Sequence, residues 1–164
     1  MKKILKWTAI LLLVGFVIIQ FFRIDKSVPE FDKNGDFTAV NSNDAAGIKI
    51  LKNACYDCHS FETKYPWYAE VAPLSWWVAG HIEEGREHVN FSLWTSYSAG
   101  DQAEIIEESI EEVDEGKMPD PNYVKQHPEA EMTDANKTAL LNYLKSVGGS
   151  SIGTGTEEGE EDHD

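Results

Sequence analysis

The sequence predicts an all-α domain, and three observations carry that reading. Apolar residues recur at spacings of three and four through the middle of the chain, as amphipathic helices require. Residues able to cap a helix stand just before those stretches, and no alternating apolar–polar run of useful length marks a strand. With 164 residues and 41% hydrophobic content, the chain can bury one modest core, so one globular domain is expected.

The first element is apolar. Lys2, Lys3 and Lys6 precede an apolar run at residues 7–22, and Arg23 follows it. Basic residues ahead of such a run mark an export signal. No small-x-small cleavage site and no lipobox cysteine follows, so residues 1–23 read as an uncleaved signal anchor, one transmembrane helix. Ile4, Leu5 and a snorkelling Lys6 extend the run to about 19 residues, close to the length a bilayer asks for. Trp7 at one end and Phe21-Phe22 at the other suit the interfaces. The positive-inside rule keeps residues 1–6 in the cytoplasm and sends the rest across.

Residues 24–44 hold Pro29, Gly35 and several acids with no sustained period, and read as a tether. The working domain is expected at residues 45–147. Asp44 is placed to cap a first helix through Ile48 and Leu51 into Cys55. Ser75 is placed to cap a second, over residues 76–88. Asp101 with Glu104 three later resembles a capping box for a third, whose stripe is Ala103, Ile106, Ile110 and Val113, with the glutamates largely outside it. Gly116 ends that helix. Thr133 or Asp134 starts the last one, with Leu140, Leu141, Tyr143 and Leu144 on its apolar side, and Gly148 is expected to stop it. Residues 148–164 read as a Gly/Ser linker and an acidic, disordered tail.

Charge narrows the partners. The net charge is −15, which repels nucleic-acid phosphate and anionic headgroups at ordinary salt. A soluble partner with a basic docking patch would be steered towards such a surface. The two cysteines lie three apart, too close and too few for a disulfide framework, so they serve local chemistry.

That chemistry sits at residues 53–59, Asn-Ala-Cys-Tyr-Asp-Cys-His. Thiols at Cys55 and Cys58, on one helical turn, can each form a thioether to a haem vinyl group, and His59 then lies under the iron as proximal ligand. A thioredoxin-like pair would need a βαβ context, which is absent. A zinc site would draw on His81 and His88, whose seven-residue spacing falls outside the usual finger pattern. An export signal upstream favours haem, since c-type attachment is completed on the outer side of the bacterial membrane. One covalently bound haem c is the expected cofactor.

From these residues a resemblance follows. Gly47, Leu51 and Cys55 at intervals of four resemble the first helix of small c-type cytochromes, and Met118-Pro119 and the closing Leu140-Leu141-Asn142-Tyr143-Leu144 resemble later parts of that family. The resemblance implies a cytochrome c-like fold in which the first and last helices cross, Gly47 against Tyr143. The longer set Tyr65-Pro66-Trp67-Tyr68, Ser75-Trp76-Trp77, His81-Ile82, Glu84-Gly85-Arg86, Asn90-Phe91-Ser92 and Trp94 is similar, more specifically, to membrane-anchored bacterial haem-binding domains. That implies a single-pass protein of the inner membrane with its haem domain on the periplasmic side.

Two residues compete for the second axial position. Met118 offers a thioether presented from a loop that Pro119 fixes, 59 residues after His59. His81 lies on the second helix, on a face shared with Leu74, Trp77, Val78, Gly85 and His88. Trp77 and Arg86 are candidates to hold a haem propionate, the first by its indole N–H and the second by ion pairing, with a surface salt bridge as the plainer role for Arg86. A His/Met haem has no open position and exchanges single electrons, so the expected function is a membrane-anchored electron carrier, not an enzyme. The alternative is a haem-based peroxidase-like enzyme, or a gas or redox sensor with an open distal site, in which Met118 stays off the iron and His81 serves as acid–base. No Ser-His-Asp set and no phosphate-binding glycine loop is visible.

Overall fold

A computed structural model describes residues 1–152, and every element in it is helical. The helices are α1 (Lys2–Ile19), α2 (Phe37–Val40), α3 (Ala45–Ala54), α4 (Tyr56–His59), α5 (Leu74–His88), α6 (Ala99–Asp114), α7 (Pro121–Gln126) and α8 (Asp134–Ile152). The all-α expectation holds over the described residues. The acidic tail, residues 153–164, lies outside them.

The transmembrane helix expected at residues 1–23 is overturned. No helix of the described residues is long and apolar enough to cross a membrane. The first turns of α1 carry Lys2, Lys3 and Lys6. What remains is about 20 Å of apolar helix at the standard rise, against about 30 Å of hydrocarbon. At its end the chain turns onto the domain. Gln20 pairs with both backbone groups of Ala72, donating to its carbonyl at 3.1 Å and accepting from its N–H at 3.0 Å. The Trp76 indole donates to the Phe22 carbonyl at 2.8 Å.

The segment read as a tether also departs from expectation, because its last part enters the core. Asp32 caps a 3-10 turn at Lys33–Gly35, and Asp36 caps α2 through the Thr38 N–H. The next residue, Phe37, is fully buried, with its ring 4.7 Å from Trp94, 5.2 Å from Phe91 and 5.9 Å from Tyr143. Asp36 and Thr38 are buried beside it, so a short cap and one large aromatic side chain together fold a stretch that shows no period.

From α3 onward the caps explain the boundaries. The Asp44 carboxylate accepts from the Ala46 and Gly47 N–H groups, as expected. α5 starts two residues early, at Leu74 after Pro73, and Ser75 is buried inside it rather than capping it. α6 is capped by Ser98, and Asp101 is the third-position partner of that capping box. The expected stripe is right: Ile106 and Val113 are buried, with Ala103 and Ile110 at its edge. Gly116, at φ 72°, ends α6 by a left-handed reversal. α8 passes through Gly148 to Ile152 instead of stopping there. A Cβ at Gly148 would lie 3.2 Å from the Ile106 side chain, so the glycine serves the contact between α8 and α6.

The core forms where α8 crosses α3 and α6. A Cβ on Gly47 would sit 2.4 Å from Tyr143 Cβ, so the helices cross in the manner the resemblance implied. The Tyr143 hydroxyl donates to the Asn41 carbonyl at 2.7 Å, which ties the crossing to the end of α2. Leu51, Leu140 and Leu144 are buried beside it, and they also form the floor of the main cavity.

Candidate functional site

The chain breaks at Cys55, between α3 and α4, and re-forms a single tight turn. Cys58 N–H and His59 N–H both donate to the Cys55 carbonyl, at 3.2 and 2.9 Å. The Arg86 guanidinium on α5 grips the chain just beyond. It donates to the Ser60 carbonyl at 2.9 Å and the Thr63 hydroxyl at 3.0 Å, and lies over the Phe61 ring. Gly85 lets α5 approach: a Cβ there would stand 3.0 Å from the Cys58 carbonyl oxygen. Thus α5 acts as a splint behind the motif.

His59 is oriented by that splint. Its Nδ1 lies 3.3 Å from the Val89 carbonyl oxygen. A carbonyl only accepts, so the ring proton belongs at Nδ1 and Nε2 carries the free lone pair. Burial lowers the pKa of the imidazole, against the smaller opposing pull of the Val89 and Gly85 carbonyls. The ring is therefore held with its proton at Nδ1, and burial favours its neutral form.

The cavity that His59 lines has a volume of about 440 Å³. Its walls are chiefly apolar, from Leu51, Val89, Phe91, Val113, Leu140 and Leu144, and Cys55 and Met118 open onto it. Met118 gets there through the reversal at Gly116, where Lys117 N–H and Met118 N–H both donate to the Glu112 carbonyl, at 2.9 and 3.0 Å. Its side chain is exposed, while the following Pro119 is buried. Glu108, Glu111 and Glu112 give the cavity an acidic rim. Burial pushes the Cys55 thiol up to about 12, helped by the neighbouring Cys58. It pushes Cys58 up to about 11, with Asp57 and Asp120 adding to the shift. Both sulfurs are thiols, not thiolates, at neutral pH.

Not every expected residue reaches this cavity. Cys58 lines a second one, on the other side of the turn, so the structure brings one of the two thiols beside His59. Trp77 and His81 also line the second cavity. His81 is exposed and donates from Nδ1 to the Trp77 carbonyl at 2.9 Å, with the two rings 4.3 Å apart. His81 and Trp77 are thus placed at the second cavity, whereas His59 and Met118 line the first. Arg86 lines neither cavity; its donors are spent on Ser60 and Thr63. The histidine that does line the first cavity is His88, at the end of α5 and three residues beyond Gly85. Its side chain is exposed, as its place near the helix end leads one to expect.

A buried network stands behind His59. Tyr56 stacks on Phe91, with ring centres 5.6 Å apart and planes 7° from parallel, and Phe91 meets the His59 ring edge-on at 6.3 Å. The Tyr56 hydroxyl donates to Asp36 Oδ1 at 2.9 Å, and burial drives the phenol pKa upward. Asp36 Oδ1 also receives the Thr38 N–H and hydroxyl, whereas Oδ2 has no partner among the described residues.

The donor set suits a flat apolar group carrying a metal: a neutral nitrogen with a fixed lone pair, a thioether sulfur and a thiol open onto one apolar cavity. Among the described residues, no cluster of three or more Cys, His, Asp and Glu side chains could hold a bare ion. The haem-binding domain family matches this chain over residues 14–146. No curated protein and no solved structure matches it.

Proposed function

The chain belongs to the haem-binding domain family, and on that premise we propose that it holds one haem c in the cavity of His59 and Met118 and works as a one-electron carrier. The supporting observation is the His59 imidazole, kept neutral by burial and locked at Nδ1 by the Val89 carbonyl, with Nε2 left to ligate. Met118 would offer its thioether sulfur as a second ligand, and Cys55 and Cys58 would hold the haem through thioether bonds to its vinyl groups. A haem held there would supply single-electron transfer.

The protein's own part is to exclude water and choose the ligands. Leu51, Val113, Leu140 and Leu144 surround the site with hydrocarbon, and a soft thioether ligand raises the reduction potential. Glu108, Glu111 and Glu112 at the rim steer a partner with a basic face towards the cavity mouth. An absorption spectrum of the reduced, haem-loaded protein with and without carbon monoxide tests the reading. A six-coordinate low-spin spectrum that carbon monoxide leaves unchanged supports a carrier, and rapid formation of a carbon monoxide adduct refutes it.

A further inference from the structure

We propose that the second cavity binds a neutral, flat aromatic molecule bearing a hydroxyl group, of the phenol or hydroquinone class. The cavity measures about 380 Å³ and its lining is overwhelmingly apolar, and small-molecule sites fall in the range of about 300–1,000 Å³. It is built by α5, α7 and the 3-10 turn Trp67–Glu70. Each contributes an aromatic pair: Trp77 with His81, Tyr123 stacked on His127 at 4.2 Å and 15°, and Trp67 edge-on to Tyr68. Three aromatic pairs around one space favour a planar occupant, because flat rings gain from offset stacking and edge contacts beyond their buried area.

Trp67 strengthens the case. Its side chain is 79% exposed, and Leu74 and Trp77 near it are each 49% exposed. A large aromatic side chain left in water at a cavity rim gains when a ligand covers it.

The polar groups decide the occupant's charge and its substituent. Asp57 accepts on both oxygens, from the Lys64 N–H at 2.8 Å and the Tyr123 hydroxyl at 2.9 Å, and Asp120 caps α7 through Oδ1. Lys64 offsets one of the two carboxylate charges in the wall, and the largely apolar lining favours a guest that sheds no ionic hydration. His81, with Nδ1 committed to the Trp77 carbonyl, keeps Nε2 as an acceptor, which calls for an O–H donor on the ligand. The site shares neither His59 nor Met118 with the first cavity, and Cys58 is the residue through which it borders the haem reading.

Calorimetric titration of the full haem-loaded chain with 2-naphthol tests the proposal. Saturable binding at one site is expected, at least tenfold tighter than its saturated counterpart 2-decalinol, with no binding of choline. Trp67→Ala should weaken 2-naphthol about tenfold, within the range of one aromatic contact. Val78→Trp, which fills the cavity from α5, should abolish binding. His81→Ala should weaken 2-naphthol but leave 2-methoxynaphthalene, which has no O–H, unchanged. Far-UV circular dichroism confirms that each variant is folded, and the haem spectrum, recorded in parallel, reports the first cavity separately. Equal affinity for 2-decalinol, binding of choline, or binding that survives Val78→Trp overturns the proposal, whatever the haem spectrum shows.

Discussion

Replacing Gly47 by alanine puts the α3–α8 crossing to a numerical test. On an exposed helix the change would stabilise by about 1 kcal/mol, because alanine is the better helix former. Here the new Cβ would meet Tyr143 at 2.4, 2.5 and 2.9 Å from Cβ, Cγ and Cδ1. Real Cβ contacts begin beyond 3 Å, so the backbones must part by roughly 1 Å or the ring must leave its pocket; overpacking of this kind costs about 1–3 kcal/mol or more. Three close approaches, to atoms near the backbone of a fully buried residue, place Gly47→Ala at the upper end. Net of the propensity gain, a loss of about 2 kcal/mol is expected. For a domain of this size that lowers Tm by about 4–8 °C. Thermal and urea unfolding followed by circular dichroism measure it. Because Leu51, Leu140 and Leu144 line the first cavity from these helices, haem uptake should fall as well. A variant as stable as the parent, or more so, would refute the close crossing.

Other variants separate ligation from support. Met118→Ala should remove the sulfur-to-iron charge-transfer band of the oxidised protein, lower the reduction potential and open the haem to carbon monoxide, whereas His81→Ala should leave that band in place. Arg86→Ala should lose about 1–3 kcal/mol in urea unfolding, since the Ser60 carbonyl and Thr63 hydroxyl lose their donors, with the ligation spectrum unchanged. Tyr56→Phe takes a donor from Asp36, whose second oxygen already lacks one, and should cost about 1–3 kcal/mol by the same assay.

Helical period and capping chemistry made much of the fold legible. Asp44, the stripe through Ile106 and Val113, and Gly116 stand where period and capping put them, and the Gly47–Tyr143 crossing stands where the family resemblance put it. Shifts arose where two caps competed: Ser98 and Asp101 form one box, and the serine is its first member. Phe37 was invisible because the buried run at residues 35–38 holds a single large apolar side chain and so leaves no period. The anchor failed on length, since lysines occupy the first turns of α1 and Gln20 ends it on Ala72. Gly148 misled because a glycine near a helix end also serves close packing.

In the site, Cys55, His59 and Met118 were findable from a local motif and a Met-Pro pair. The division of α5 between two cavities was not. His81 and His88 lie on one face by count, yet the first looks into the aromatic cavity and the second into that of His59. Seven residues of helix span about 10 Å, enough to pass from one side of the cysteine turn to the other.

Covalent attachment of one haem through Cys55 and Cys58, as proposed, is open to intact-mass measurement after denaturation and acid-acetone extraction. The chain should keep the mass of one added haem, and Cys55→Ala/Cys58→Ala should lose it entirely. A bare chain after extraction of the unmodified protein, with the haem recovered in the acetone, would contradict it.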